Sequence, residues 1–189
     1  TTNQPVTHDV GTRLAWNLRA PVSKRTEGWE KKLEDMQDVC SACHGSPFVE
    51  GFYKQLDSFV ALYNDKFAIP AKEIREYLME KEVISKGNFD DKIDWIYWEL
   101  WHHEGRRARH GAAMSGPDYA WWHGIYDVAH NFYFKFIPEA RHVGDDEVNA
   151  YIDELFAADP MHAWFNTNTE DIKAAIKSGE FQKIYSELF

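Results

Sequence analysis

Trp29, Leu33, Met36 and Cys40 recur at intervals of three or four residues, the repeat of one face of an α-helix, so a helix is expected to end at the first cysteine. A second stripe of Phe52, Leu56, Phe59, Tyr63 and Phe67 predicts a helix from about Val49 to Phe67. Pro70, whose ring pre-sets the φ of a first helical turn, opens a shorter one with Ile74, Tyr77 and Leu78 inward. Ile93, Tyr97, Leu100 and Trp101 predict a long helix from about Asp90 to Met114, closed by Gly116-Pro117. Pro117 starts another, which carries Tyr119, His123, Ile125, Tyr126, Ala129 and Tyr133 toward Pro138. Asp145 is expected to cap a helix of Val148, Ile152, Leu155 and Phe156, and Thr169 to cap one that Gly179 closes. No alternating run reads as a strand and no repeat of ~20–50 residues is visible. The expected fold class is therefore mainly α. Residues 1–26, with Pro5 and Pro21 and no periodicity, read as an extended lead-in, and 27–189 as a single helical domain.

Composition narrows the function classes. A net charge of -10 argues against nucleic acid, which needs clustered Lys and Arg to displace counterions from phosphate, and fits cationic partners or small neutral substrates. The apolar runs fall short of the ~18 residues that span a bilayer, so no transmembrane segment is expected. Thr1-Thr2-Asn3-Gln4-Pro5 lacks the basic start and apolar stretch of a signal peptide, so export is expected to rely on a longer precursor or on a signal no longer present. Eight Trp, nine Tyr and twelve Phe exceed the usual needs of a core this size; wide flat rings suit heme faces and large interfaces.

The chemistry concentrates in Cys40-Ser41-Ala42-Cys43-His44, a C-x-x-C-H run. Two thiols about one helical turn apart reach the two vinyl groups of one porphyrin, and the next residue sets an imidazole under the iron. Heme c, held by Cys40 and Cys43 with His44 as the proximal ligand, is the expected cofactor. A thioredoxin-like redox pair would want a strand-helix context that the pattern lacks, and a zinc site would need a further ligand. A structural disulfide would close too short a loop to restrict much chain entropy. The sixth iron position is open among the other histidines, Met114 and Met161. His103, Arg106, Arg107 and His110 fall on one helical face, which suits heme propionates or anionic nitrogen oxides, with a solvated basic stripe as the alternative.

The stretches Trp101–Gly124 (WHHEGRRARHGAAMSGPDYAWWHG), 39–46 (VCSACHGS) and 7–13 (THDVGTR) resemble the C-terminal part of the octaheme hydroxylamine oxidoreductases. That multiheme cytochrome c family includes hydrazine dehydrogenases and nitrite-reducing relatives of nitrogen-cycling bacteria, and is related to the pentaheme nitrite reductases. The resemblance runs to about Arg141, and the last 48 residues carry none of it.

The resemblance implies a helical domain in which Cys40, Cys43 and His44 form the family's last heme motif. Tyr119, in Gly116-Pro117-Asp118-Tyr119, corresponds to the tyrosine bonded to the catalytic heme of a neighbouring subunit; otherwise it is a first-turn packing residue. His8 and His123 resemble axial ligands of hemes, and His103 is a further candidate. Only one of an octaheme enzyme's motifs lies in these 189 residues. The expectation is therefore a C-terminal portion or a subunit of an enzyme oxidising hydroxylamine or hydrazine, with a heme-rich N-terminal portion or second chain as partner. That partner portion would contribute the tyrosine-linked catalytic heme. A trimeric assembly, a soluble cytochrome as electron acceptor, and a periplasmic or equivalent compartment such as an anammoxosome lumen are implied with it. The alternative is a monoheme cytochrome that only transfers electrons.

Overall fold

A computed structural model describes residues 29–188. The lead-in 1–26, and with it His8, lies outside the described residues. The chain is mainly α, and among the described residues no strand forms. The helices are α1 (Trp29–Ser41), α2 (Ser46–Tyr63), α3 (Ile69–Glu80), α4 (Lys92–Trp98), α5 (Gly105–Ala113), α6 (Asp127–Asn131), α7 (Ile137–Val143), α8 (Asp146–Ala158), α9 (Pro160–Ala163), α10 (Thr169–Ser178) and α11 (Glu180–Leu188). Wider π-helical turns occupy Asn64–Ala68, Glu99–Glu104, Asp118–Tyr126 and Phe132–Phe136. None of the described helices is long and apolar enough to cross a membrane.

The backbone groups into two compact units, each assembled from two stretches of chain. One combines 29–64 with Trp101–Val128, and the other Asp65–Leu100 with 129–188. In the first, Met36 of α1 packs with Val49, Tyr53 and Leu56 of α2 and Ala113 of α5. Full burial of such side chains is worth roughly 1.5–3 kcal/mol each. Backbone meets backbone closely where α5 joins the Asp118–Tyr126 turn. A Cβ on Gly111 would lie 2.4 Å from the Tyr119 carbonyl carbon, and one on Gly124 would lie 2.9 Å from the Ala108 Cα. Tyr63 seals the other side of α5: its ring lies over Gly105, where a Cβ would meet it at 2.4 Å, and under the Arg109 guanidinium at 4.8 Å.

In the second unit, Ile74 and Leu78 of α3 and Val148, Ile152 and Phe156 of α8 are buried, as their spacing predicts. Arg75 pairs with the buried Asp94 at 2.7 Å, so that a carboxylate out of water keeps a cation beside it. Asp145 caps α8 by accepting from the Val148 N–H at 3.0 Å, as expected.

Three sequence expectations change. The cap of α10 is Asn168, not Thr169: its side-chain oxygen accepts from the Glu170 and Asp171 N–H groups, both at 3.0 Å, and Thr169 becomes the first helical residue. The long helix over 90–114 is interrupted at Glu99–Glu104, where the π-turn adds a residue to the repeat. Leu100 stays buried, whereas Trp101, expected on the same inward stripe, is 39% exposed. The stop of α5 also falls one residue earlier than Gly116. Ser115 takes the left-handed conformation at φ 54°, its N–H donates to the Ala112 carbonyl at 3.1 Å, and the Gly116 N–H donates to Gly111 at 2.8 Å. These two bonds make a Schellman ending with serine where glycine is usual.

Candidate functional site

The C-x-x-C-H run sits where α1 ends. The Cys43 and His44 N–H groups both donate to the Cys40 carbonyl, at 3.1 and 2.9 Å, so the chain folds over the first cysteine in one tight turn. Gly45 then leads into α2, with Pro47 in its first turn. A cavity of about 300 Å³ opens beside the run, bordered by Cys40, Cys43 and His44 and walled by Met36, Phe48, Phe52 and Tyr53. Cys40 is half-buried, Cys43 exposed, and both are free thiols. The His44 ring stacks on Phe48 with centroids 4.5 Å apart. Two free thiols, an imidazole and an apolar wall with aromatic members fit a covalently held porphyrin. In that fit Cys40 and Cys43 would carry the thioethers and His44 the iron.

A second cavity, of about 370 Å³, lies in the same unit against α5. His103, Arg106, Arg107, His110, Met114 and Tyr119 line it. The four polar residues that spacing places on one face do share one cavity, and Tyr119 borders it. Asp127 pairs with Arg107 at 2.6 Å. Partial burial first, then the positive charges of Arg106 and Arg109, hold the His110 pKa below its ordinary value.

Two consecutive residues of the α5 ending divide between the cavities: Met114 lines the second and Ser115 the first. The left-handed Ser115 thus forms a turn at which the two sites adjoin.

Tyr119 is 56% exposed and carries its ring out from the first turn after Pro117. Its neighbours on the same π-turn, Trp121, Trp122 and Tyr126, are 51%, 68% and 56% exposed. Trp121 stands edge-on to Phe59 of α2 at 5.8 Å. His123 is exposed beside Tyr119, with ring centroids 5.9 Å apart, and its Nδ1 lies 3.0 Å from Asp118 Oδ2. His103 borders the α5 cavity, and the candidate Met161 belongs to the second unit.

The sequence pattern did not single out Met36 as a site residue, although it lines the motif's cavity. Its place four residues before Cys40, on the same face of α1, is the signal that could have found it. Asp118 was adjacent in sequence to the site, but its pairing with His123 emerges only from the π-turn. No family model, curated protein or solved structure matches the chain.

Proposed function

We propose that this chain is a C-terminal portion or a subunit of a multiheme oxidoreductase that oxidises hydroxylamine or hydrazine. It would hold one c-type heme through Cys40, Cys43 and His44 and lend Tyr119 to a catalytic heme that a partner portion contributes. The observation that carries the reading is the outward display of Tyr119 beside His123, whose ring is oriented by Asp118. A half-exposed tyrosine among three exposed aromatics would be a poor use of surface in a chain standing alone; insertion into a neighbour's heme pocket would bury it. With Nδ1 held by a carboxylate, His123 keeps Nε2 for an iron, the arrangement common to metal-binding imidazoles. His103 and His8 are the further proposed ligands. Bound at the motif, a heme accepts and passes on single electrons. Met36, Phe52 and Tyr53 would exclude water from the group, and the His44 ring that would hold its iron is stacked on Phe48. The trimeric assembly, the soluble cytochrome acceptor and the non-cytoplasmic compartment in which heme is attached follow from the same proposal.

Replacement of Tyr119 by Phe in the assembled enzyme tests it. The variant is expected to keep its helical circular dichroism and the heme on Cys40 and Cys43. It should lose the absorption band of the modified heme and shift from oxidation toward reduction of nitrogen oxides. Wild-type oxidation of hydroxylamine and hydrazine with an unchanged spectrum would overturn the proposal.

A second reading, a monoheme electron-transfer cytochrome, is favoured by the motif's cavity, whose lining, Met36 included, comes wholly from one unit. Iron content of the native protein separates the two: one iron per chain with no accompanying heme-rich polypeptide supports the cytochrome.

A further inference from the structure

The second unit holds a pair of reactive groups that the proposed function does not use. Tyr133, in the Phe132–Phe136 turn, and His162, in α9, are both buried, and the Tyr133 hydroxyl lies 2.7 Å from His162 Nδ1. Neither borders the motif's cavity or the α5 cavity, whose linings come from the first unit. Burial keeps the imidazole largely neutral at pH 7. A neutral ring has one nitrogen free to accept, so a phenol and a base face each other out of water. Against burial and the Lys66 charge, Asp159 and the Lys66 backbone favour the protonated ring, and Asp159 is itself paired with Lys66 at 2.6 Å. A proton that arrives on His162 therefore meets some compensation.

The rings around the phenol differ in how readily they give up an electron. Phe67, Phe156 and Phe165 pack on Tyr133 with centroids at 6.2, 6.3 and 5.1 Å, and phenyl rings are harder to oxidise than phenol or indole. Trp164 meets the same tyrosine ring at 4.9 Å and is 36% exposed. One ring contact thus connects a buried phenol to an indole at the surface. A phenol that loses an electron becomes a strong acid, and in a site without water its proton has nowhere to go. An imidazole within hydrogen-bond reach takes that proton as a general base does. A hydroxyl that only needed an acceptor would be satisfied equally well by an amide.

We infer that Tyr133 and His162 form a proton-coupled redox site that stores one oxidising equivalent, with Trp164 as its contact with a diffusing one-electron oxidant such as a nitrogen dioxide or peroxyl radical. The oxidant takes one electron from the Trp164 indole and is thereby reduced. Tyr133 refills the indole with one electron, and its phenolic proton passes to His162 Nδ1 in the same step. The products are the reduced oxidant, a neutral tyrosyl radical and an imidazolium, with Trp164 restored. One electron from a reductant such as ascorbate, together with the return of the proton from His162, closes the cycle. The site stands whether or not a heme is attached at Cys40 and Cys43, because those residues belong to the other unit.

Flash oxidation of the full chain by tris(bipyridine)ruthenium(III), followed by freeze-quench electron paramagnetic resonance, tests it. A tyrosyl signal that outlasts those of exposed tyrosines is expected, and it should form more slowly in heavy water because a proton moves with the electron. Tyr133→Phe should abolish the long-lived signal and leave short-lived ones from exposed tyrosines such as Tyr119. His162→Gln keeps an acceptor for the hydroxyl and removes the base. The signal should then form roughly 100-fold more slowly, the lower end of what a positioned base contributes. Trp164→Phe should slow formation as well, whereas Trp95→Phe, which removes a more exposed indole on α4, should change nothing. No long-lived signal in the unsubstituted chain, or one that survives Tyr133→Phe, would overturn the inference. So would formation at the wild-type rate in His162→Gln or Trp164→Phe, or a rate indifferent to heavy water.

Discussion

Asp118 Oδ2 and His123 Nδ1 stand 3.0 Å apart across one wide turn, both side chains exposed, with the Tyr119 ring beside them. In an α-helix a spacing of five residues turns two side chains well away from each other. The π-turn over Asp118–Tyr126 brings them to one face. The carboxylate then selects which nitrogen of the ring stays available.

Asp118→Asn replaces an acceptor by an amide whose affinity for the ring N–H is weaker. If His123 ligates an iron in the assembled enzyme, the loss of its orienting partner should cost roughly 10–100-fold in metal affinity or activity. The helical content of the chain should not change, because both groups face solvent. Low-temperature electron paramagnetic resonance of the assembled variant checks it: low-spin signals identical to wild type would remove His123 from the ligand set.

Denatured protein should retain its heme and give the pyridine hemochrome spectrum of two thioether bonds. Cys43→Ala should shift that band to the single-thioether position, since Cys40 remains. Extraction of the heme into acidified acetone would show that the bonds are absent.

Gly111→Ala should destabilise the chain by about 1–3 kcal/mol, the usual cost of forcing a methylene into a packed contact. The new Cβ would meet backbone atoms of Tyr119 and Ala120 at 2.4 and 2.6 Å, and backbone gives way less readily than a side chain. Gly51→Ala, in the middle of α2 with nothing within 4 Å, should instead gain roughly 0.5–1 kcal/mol through helix propensity. Urea unfolding of the two variants side by side measures the contrast. Equal midpoints would mean that α5 and the Asp118–Tyr126 turn are not held as closely as described.

His162 supplies a pH dependence in the second unit. It is buried, stacks on Phe156 at 5.0 Å and bonds through Nδ1 to the Tyr133 hydroxyl at 2.7 Å. Burial lowers its pKa, against an opposing pull from Asp159; the Lys66 charge lowers it further and the Lys66 backbone, through a hydrogen bond, raises it. The folded chain therefore binds a proton less readily than the unfolded one. Stability from this group is complete above the unfolded value of ~6.5 and falls as pH drops from there toward the depressed folded pKa. His162→Phe should flatten that part of the stability profile, measured by thermal unfolding between pH 7 and pH 5. A profile as steep as wild type would place the titrating group elsewhere.

Much of the helical scaffold is legible in the order of the residues. Ile74, Leu78, Ile93, Leu100, Val148, Ile152 and Phe156 are buried where a repeat of three to four residues puts them. Asp145 caps the helix it precedes. The C-x-x-C-H run and the basic face of His103, Arg106, Arg107 and His110 are equally plain, because each is a local pattern within one or two turns. Trp101 departs from its stripe, and Thr169 yields the cap to Asn168, since one extra residue in a turn or one shift in a helix start changes a face without changing composition.

What the sequence determined by itself is thus the mainly α class, most of the inward positions and the chemical groups available, all properties of neighbours along the chain. The tertiary structure alone decided that Met36 and Ser115 border the motif's cavity, that Tyr119 borders the cationic one, and that Asp118 reaches His123. These depend on how closely helices approach and on where the helical repeat widens. Gly111 and Gly124 let two backbones meet with no room for a Cβ between them. A glycine in a sequence states only that such an approach is permitted; which segment comes to fill the space is settled by packing in three dimensions.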